Sequence, residues 1–257
     1  RLEKEQTVTF QVGSARPMMA VPDGNMVVLD PASRPSYSVF TINYQALKVQ
    51  AYAVTPKDWP AFQEYLRTAS RQTSPPTPPG RRVMDKRTRI ESEADALVET
   101  TIDLDDLIRE GLGHLILVVE PEAGLFESLL RPSWQPVIRI WLQATRIALD
   151  AFVDSEEMLA WANSLLDGAP LEGVALYLKP GNRTAITDVE GMATLSLPPS
   201  SREESTYLIA EKGNDAAFLP QSTSWWGGRG WRYGSLQDEY RWYVFDDRQM
   251  YRPGEQV

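Results

Sequence analysis

The sequence predicts a mainly β protein of tandem β-sandwich domains, the first with one inserted helix and the second seven-stranded. Three observations predict it. Short apolar runs, alternating in hydrophobicity or rich in β-branched and aromatic residues, recur along the chain. Pro, Gly, Asn and Asp separate them at positions suited to turns. One stretch carries its apolar residues at helical rather than strand spacing.

Taken in order, Thr7 to Val12 alternates Val8, Phe10 and Val12 with polar partners, the pattern of a half-buried opening strand. Gly13 to Pro35 reads as loops around a short strand at Met26 to Leu29. Tyr37 to Tyr44 and Leu47 to Val54 are strand-like and so close together that a hairpin is expected. Trp59, Phe62, Tyr65 and Leu66 then recur at helical spacing behind Asp58 as N-cap, with Pro60 in the first turn, which predicts a helix near 58–69. The Ser-, Thr- and Pro-rich stretch that follows buries too little apolar surface to order itself, so 71–95 is expected to be a mobile loop. Leu97 to Leu104 and His114 to Val119 read as strands around a helical turn at Asp105 to Glu110. They close a first domain at residues 1–123.

The second half is more regular. Val137 to Leu149, Met158 to Asn163, Val174 to Leu178, Thr184 to Thr187, Met192 to Leu197, Tyr207 to Ala210 and Ala216 to Leu219 are seven runs bounded by turn chemistry. They predict a second sandwich over residues 124–238. Lys179-Pro180-Gly181-Asn182 and Asp188-Val189-Glu190-Gly191 are expected to close hairpins.

Composition narrows the chemistry. Acidic residues outnumber basic ones by 35 to 26, and the net charge of −9 repels phosphate backbones, so nucleic acid is not an expected partner. With no cysteine, the chain has no disulfide, thiolate metal site, cysteine nucleophile or internal thioester. Its single histidine, His114, permits at most one imidazole relay. Asp103, Asp105 and Asp106 precede it in sequence, but Asp103 sits where an N-cap belongs and His114 opens an apolar strand. Asp154, Glu156 and Glu157, like Asp246 and Asp247, lack the spacing of a calcium loop. No catalytic residue, metal or cofactor is expected.

Two segments are candidates for contact. Trp225, Trp226, Trp231 and Tyr233 lie on a Gly-rich stretch and suit either an interdomain junction or a glycan or protein ligand. The ligand option corresponds to a cell-surface adhesion or glycan-binding module. Arg81, Arg82, Lys86 and Arg87 follow the proline-rich run and read as a polar loop open to proteases.

The terminal run Tyr243-Val244-Phe245-Asp246-Asp247-Arg248, leading into Tyr251-Arg252-Pro253-Gly254-Glu255, resembles the opening strand of a macroglobulin-like domain. Leu159 to Ala162, Gly168 to Val174, Thr187 to Gly191 and Ala210 to Asp215 are similar, in the same order, to the preceding domain in the bacterial alpha-2-macroglobulin family. Leu29 to Ser33 with Tyr37 to Thr55 resembles, more weakly, the domain before that. The resemblance implies tandem macroglobulin-like sandwiches, immunoglobulin-like and seven-stranded, at 1–123 and 124–238, with 239–257 opening a third. It also implies an interior part of a large extracytoplasmic protease inhibitor that snares its target by conformational change, often as a membrane-anchored periplasmic or surface lipoprotein. Its partners would be neighbouring domains of the same protein and, through the full-length protein, proteases. Any membrane contact would be through an anchor outside these residues, and Val257 would be an interior boundary. The family's thioester needs a cysteine and finds none here, and its bait segment is not assigned to any of these residues.

Overall fold

The computed structural model describes residues 9–11, 13–21, 24–69, 76–91, 93–122, 136–197, 206–223, 231, 242–243 and 254. The fold is mainly β, with two sandwiches and one α-helix among these residues. The strands of the first sandwich are β1 (Met18–Ala20), β2 (Met26–Leu29), β3 (Ser36–Ile42), β4 (Ala46–Val54), β5 (Arg81–Arg89), β6 (Leu97–Asp103), β7 (Gly113–Glu122) and β8 (Ile138–Ala144). Helix α1 (Trp59–Ala69) lies between β4 and β5. One sheet has the order β1-β3-β6 and the other β2-β8-β7-β4-β5, in which only β2 and β8 run parallel. Val39, Tyr37 and Ile102 from the small sheet meet Leu47, Val49, Leu115, Leu117, Ile140 and Leu142 from the large one.

The strands of the second sandwich are β9 (Ile147–Val153), β10 (Glu157–Ser164), β11 (Ala175–Lys179), β12 (Arg183–Ile186), β13 (Met192–Ser196), β14 (Tyr207–Lys212) and β15 (Asp215–Pro220). The orders β13-β10-β9 and β12-β11-β14-β15 give the seven strands expected of this half. Met158, Ala160, Ala162 and Leu195 from one sheet pack on Leu176, Leu178, Leu208 and Ala210 from the other.

Several expectations are corrected. The run Val137 to Leu149 is two strands, β8 and β9, broken at Thr145-Arg146. Strand β8 completes the large sheet of the first sandwich, so the sheets divide after Ala144 and not at residue 123. Strands β3 and β4 form no hairpin, because they belong to opposite sheets. The link between them crosses the sandwich with Asn43 at φ 57° and Tyr44 buried in the core. The Asn43 amide fixes this crossing: it donates to the Ala15 carbonyl and to Asp95 Oδ1, each at 2.8 Å, and its Oδ1 accepts from the Asp95 N–H.

The turn at Asp188–Gly191 likewise passes from β12 in one sheet to β13 in the other, whereas Pro180–Asn182 does close the β11–β12 hairpin. The helix is found where its apolar spacing puts it, at Trp59–Ala69. A 3-10 turn, Pro56–Asp58, precedes it, and Thr55 takes the cap position while Asp58 Oδ2 accepts from the Thr55 N–H at 2.8 Å. Thr9–Gln11 carry no strand, and the rest of the expected opening strand is outside the described residues. The expected loop 71–95 contains β5, a nine-residue strand paired along β4, while 70–75 are outside the described residues.

Candidate functional site

A strand with one face in a core and one in water alternates buried and exposed residues, as β3 does. Strands β7, β8 and β14 do not alternate: His114 to Val119, Ile140 to Ala144 and Tyr207 to Ala210 are continuously buried. Both faces of these strands are covered. In β7, Leu115, Leu117 and Val119 face the first core, leaving Ile116 and Val118 for a second layer. In β14, Leu208 and Ala210 face the second core, leaving Tyr207 and Ile209 for that same layer.

Helix α1 supplies the filling. Its Trp59, Phe62, Tyr65, Leu66 and Ala69 fall on one stripe and are all buried. Trp59, Trp141 from β8 and Phe218 from β15 form a triangle with ring centroids 5.2 to 5.6 Å apart, and Phe62 stands 5.6 Å from Trp141 at 64°. These tilted and edge-on contacts suit the ring quadrupoles and bury area from helix, first sandwich and second sandwich together.

Polar groups line one side of this cluster. The Trp141 indole N–H, which only donates, points to His114 Nδ1 at 3.2 Å, so the proton sits on Nε2, which donates to the Ala216 carbonyl at 3.0 Å. Burial holds the imidazole neutral, lowering its pKa to about 4 against the opposing pull of the Ala216 carbonyl and the Asp215 carboxylate. Gln143 Oε1 accepts from the Phe218 N–H at 2.8 Å. Asp215 takes the Thr145 hydroxyl at 2.7 Å and the Arg146 N–H at 2.9 Å. Both ring nitrogens of His114 are engaged within the fold, and burial lowers the proton affinity of the ring. Asp103 and Asp105 instead hold Arg34, at 3.4 and 3.0 Å. Asp154 caps its own turn, accepting from the N–H groups of Glu156 and Glu157. Among the described residues, no group of three His, Asp or Glu side chains is placed to hold a metal.

The architecture has solved counterparts. Native Escherichia coli alpha-2-macroglobulin spanning domains NIE-MG1 superposes with a TM-score of 0.59 at 16% identity, over 80% of this chain and 97% of that one. The trypsin-activated E. coli protein gives 0.51 at 15% identity, over 77% of this chain and 13% of that one. The chain has the fold of a bacterial alpha-2-macroglobulin segment. No family model matches the sequence. A curated protein named circularly permutated Ras protein 2, from Dictyostelium discoideum, is 25% identical over 269 residues. That match covers 86% of this chain, which spans 7% of the length of the curated relative.

In the macroglobulin fold, the residues singled out from sequence are scattered. Trp231 is half-buried against the core of the second sandwich and its carbonyl accepts from Gln221 Nε2 at 2.9 Å. Trp225, Trp226 and Tyr233 are outside the described residues. Arg81, Arg82, Lys86 and Arg87 are on β5, an edge strand and not a loop. Arg82 pairs with Asp85 and Arg87 with Glu122, while Lys86 stands opposite Val49 on the side that turns to the first core. Charged side chains along a sheet edge discourage pairing with another chain. The junction residues Gln143, Asp215, Trp141 and Phe218 were not singled out. For Trp141 and Gln143 the signal is the loss of alternation in Val137 to Leu149, which marks a strand buried on both faces; Asp215 and Phe218 lie outside that run.

Proposed function

We propose that this chain is a scaffold segment of an alpha-2-macroglobulin-like protease inhibitor, holding neighbouring macroglobulin-like domains while the whole protein closes around a protease. The observation that carries the reading is a pair of sandwiches sharing one aromatic core, in a fold matching nearly all of a two-domain macroglobulin segment. A trap that works by conformational change needs units that move without deforming, and a buried aromatic interface supplies such a unit. The likeness to both native and trypsin-activated E. coli structures supports a fold that is kept through activation. The described site offers hydrogen bonds already taken and no free nucleophile with a base beside it, so the segment positions domains and does no bond chemistry.

Two domains then divide at Thr145-Arg146, with 239–257 opening a third. The protein works outside the cytoplasm, and its partners are neighbouring domains of the same protein and, through them, proteases. The test uses the full-length protein incubated with trypsin. Hydrolysis of a small chromogenic peptide is expected to persist while hydrolysis of casein falls at least tenfold. Equal loss of both activities, or of neither, contradicts trapping.

A further inference from the structure

Among the described residues β15 is the last strand of its sheet, and no strand is hydrogen-bonded to its outer edge. In a strand, residues two apart turn their N–H and C=O to the same edge. The Ala216 carbonyl and the Phe218 N–H therefore point outward together, and one residue of a parallel neighbour would take both. Here two side chains take them: His114 Nε2–H donates to the first at 3.0 Å, and Gln143 Oε1 accepts from the second at 2.8 Å. His114 and Gln143 are directly paired across β7 and β8, so the donor and the acceptor are presented side by side from the first sandwich. Trp141 Nε1–H on His114 Nδ1 fixes the tautomer that makes this work.

The covalent link is held as tightly. Strand β8 passes to β9 through Thr145 and Arg146 alone. Asp215, the first residue of β15, takes the Thr145 hydroxyl with one carboxylate oxygen and the Arg146 N–H with the other. Thr145 Oγ1 in turn accepts from the Ile147 N–H at 3.1 Å, and the Arg146 guanidinium reaches the Glu110 carbonyl at 3.1 Å.

We propose that the His114–Gln143 pair acts as a substitute strand for the edge of β15 and that Asp215 latches the two-residue linker, so that the two sandwiches turn as one body at a fixed angle. Aromatic packing supplies adhesion but little direction, since apolar contacts tolerate sliding, whereas these hydrogen bonds are directional and fix the register between β15 and the β7–β8 pair. The latch does not depend on protease trapping, and its failure would leave that reading standing.

The chain has no cysteine, so two introduced thiols can be spin-labelled cleanly. Glu99→Cys on β6 and Thr184→Cys on β12 place one exposed label on each sandwich. Pulsed dipolar spectroscopy is expected to give one narrow interlabel distance. Adding Gln143→Leu and Asp215→Ala, which remove the acceptors, is expected to at least double the width of the distribution while the far-UV circular dichroism is kept. If that combination does not fold, Asp215→Asn, which retains one acceptor oxygen, is expected to broaden the distribution by an intermediate amount. A broad distribution in the otherwise unaltered protein overturns the proposal. So does an unchanged narrow one in the folded variants, because the aromatic cluster alone then sets the angle.

Discussion

His114 shows how one residue's surroundings decide its role. An imidazole near aspartates in sequence is a candidate relay, yet the fold buries it between Trp141 and Phe218, with ring centroids 6.0 and 5.8 Å away, and commits both nitrogens. Its charge state then couples to stability. In the unfolded chain the ring titrates near its ordinary value of 6.5, while in the fold desolvation lowers this to about 4. Between those limits the unfolded state binds more protons, so stability is complete above about pH 6.5 and declines as the pH falls toward 4. The contribution is at most roughly 3 kcal/mol, with a slope approaching about 1.4 kcal/mol per pH unit. Urea unfolding of the wild type and His114→Gln at pH 4.5 and 7 is expected to show that slope reduced by about one proton in the variant. Identical pH dependence in both proteins would mean that the imidazole is not buried neutral. That His114 opens an apolar strand was legible in the sequence. Its partners Gln143 and Ala216, 29 and 102 residues away, were not, because register between distant strands leaves no local trace.

At the scale of elements, most strands announce themselves, and errors arise where the chain changes sheet. Strand β3 alternates in burial along its length, and β4 alternates from Leu47 to Ala51 before Tyr52 is buried on its other face, so the two look alike in sequence although they lie in opposite sheets. Short separation alone suggested a hairpin, and a buried Tyr44 with a left-handed Asn43 overrode it. Asp188–Gly191 makes the corresponding crossing in the second sandwich. Asp188 Oδ1 accepts from the N–H groups of Glu190 and Met192, and Gly191 sits at φ 75° against the backbone of Ala162. A Cβ at Gly191 would stand 2.5 Å from the Ala162 carbonyl oxygen, which is backbone and has no room to yield. Gly191→Ala is therefore expected to cost about 2 kcal/mol or more from the left-handed dihedral and the contact together, read as a lower urea midpoint at unchanged slope. A midpoint within error of wild type would show that the turn does not close on β10. Helix α1 was legible because its stripe of Trp59, Phe62, Tyr65 and Leu66 is unambiguous, whereas the Thr55 cap was hidden behind Pro56, which starts a 3-10 turn first.

For the whole molecule, the sandwich architecture could be read from strand number and spacing, while the weld between the sandwiches could not. The first core, the second core and the shared aromatic layer are continuous through β7, β8 and β14, each of which contributes to two of the three. Unfolding the first sandwich would uncover Phe218, and unfolding the second would uncover Trp59 and Trp141, so neither is expected to melt without the other. Expected contacts at Trp225, Trp226 and Tyr233 are outside the described residues, and the weld is made by α1, which lies far earlier in the chain. Scanning calorimetry of the 257-residue chain tests the shared core directly. One endotherm, with equal calorimetric and van't Hoff enthalpies, is the predicted result; two resolved endotherms, one for each sandwich, would contradict it.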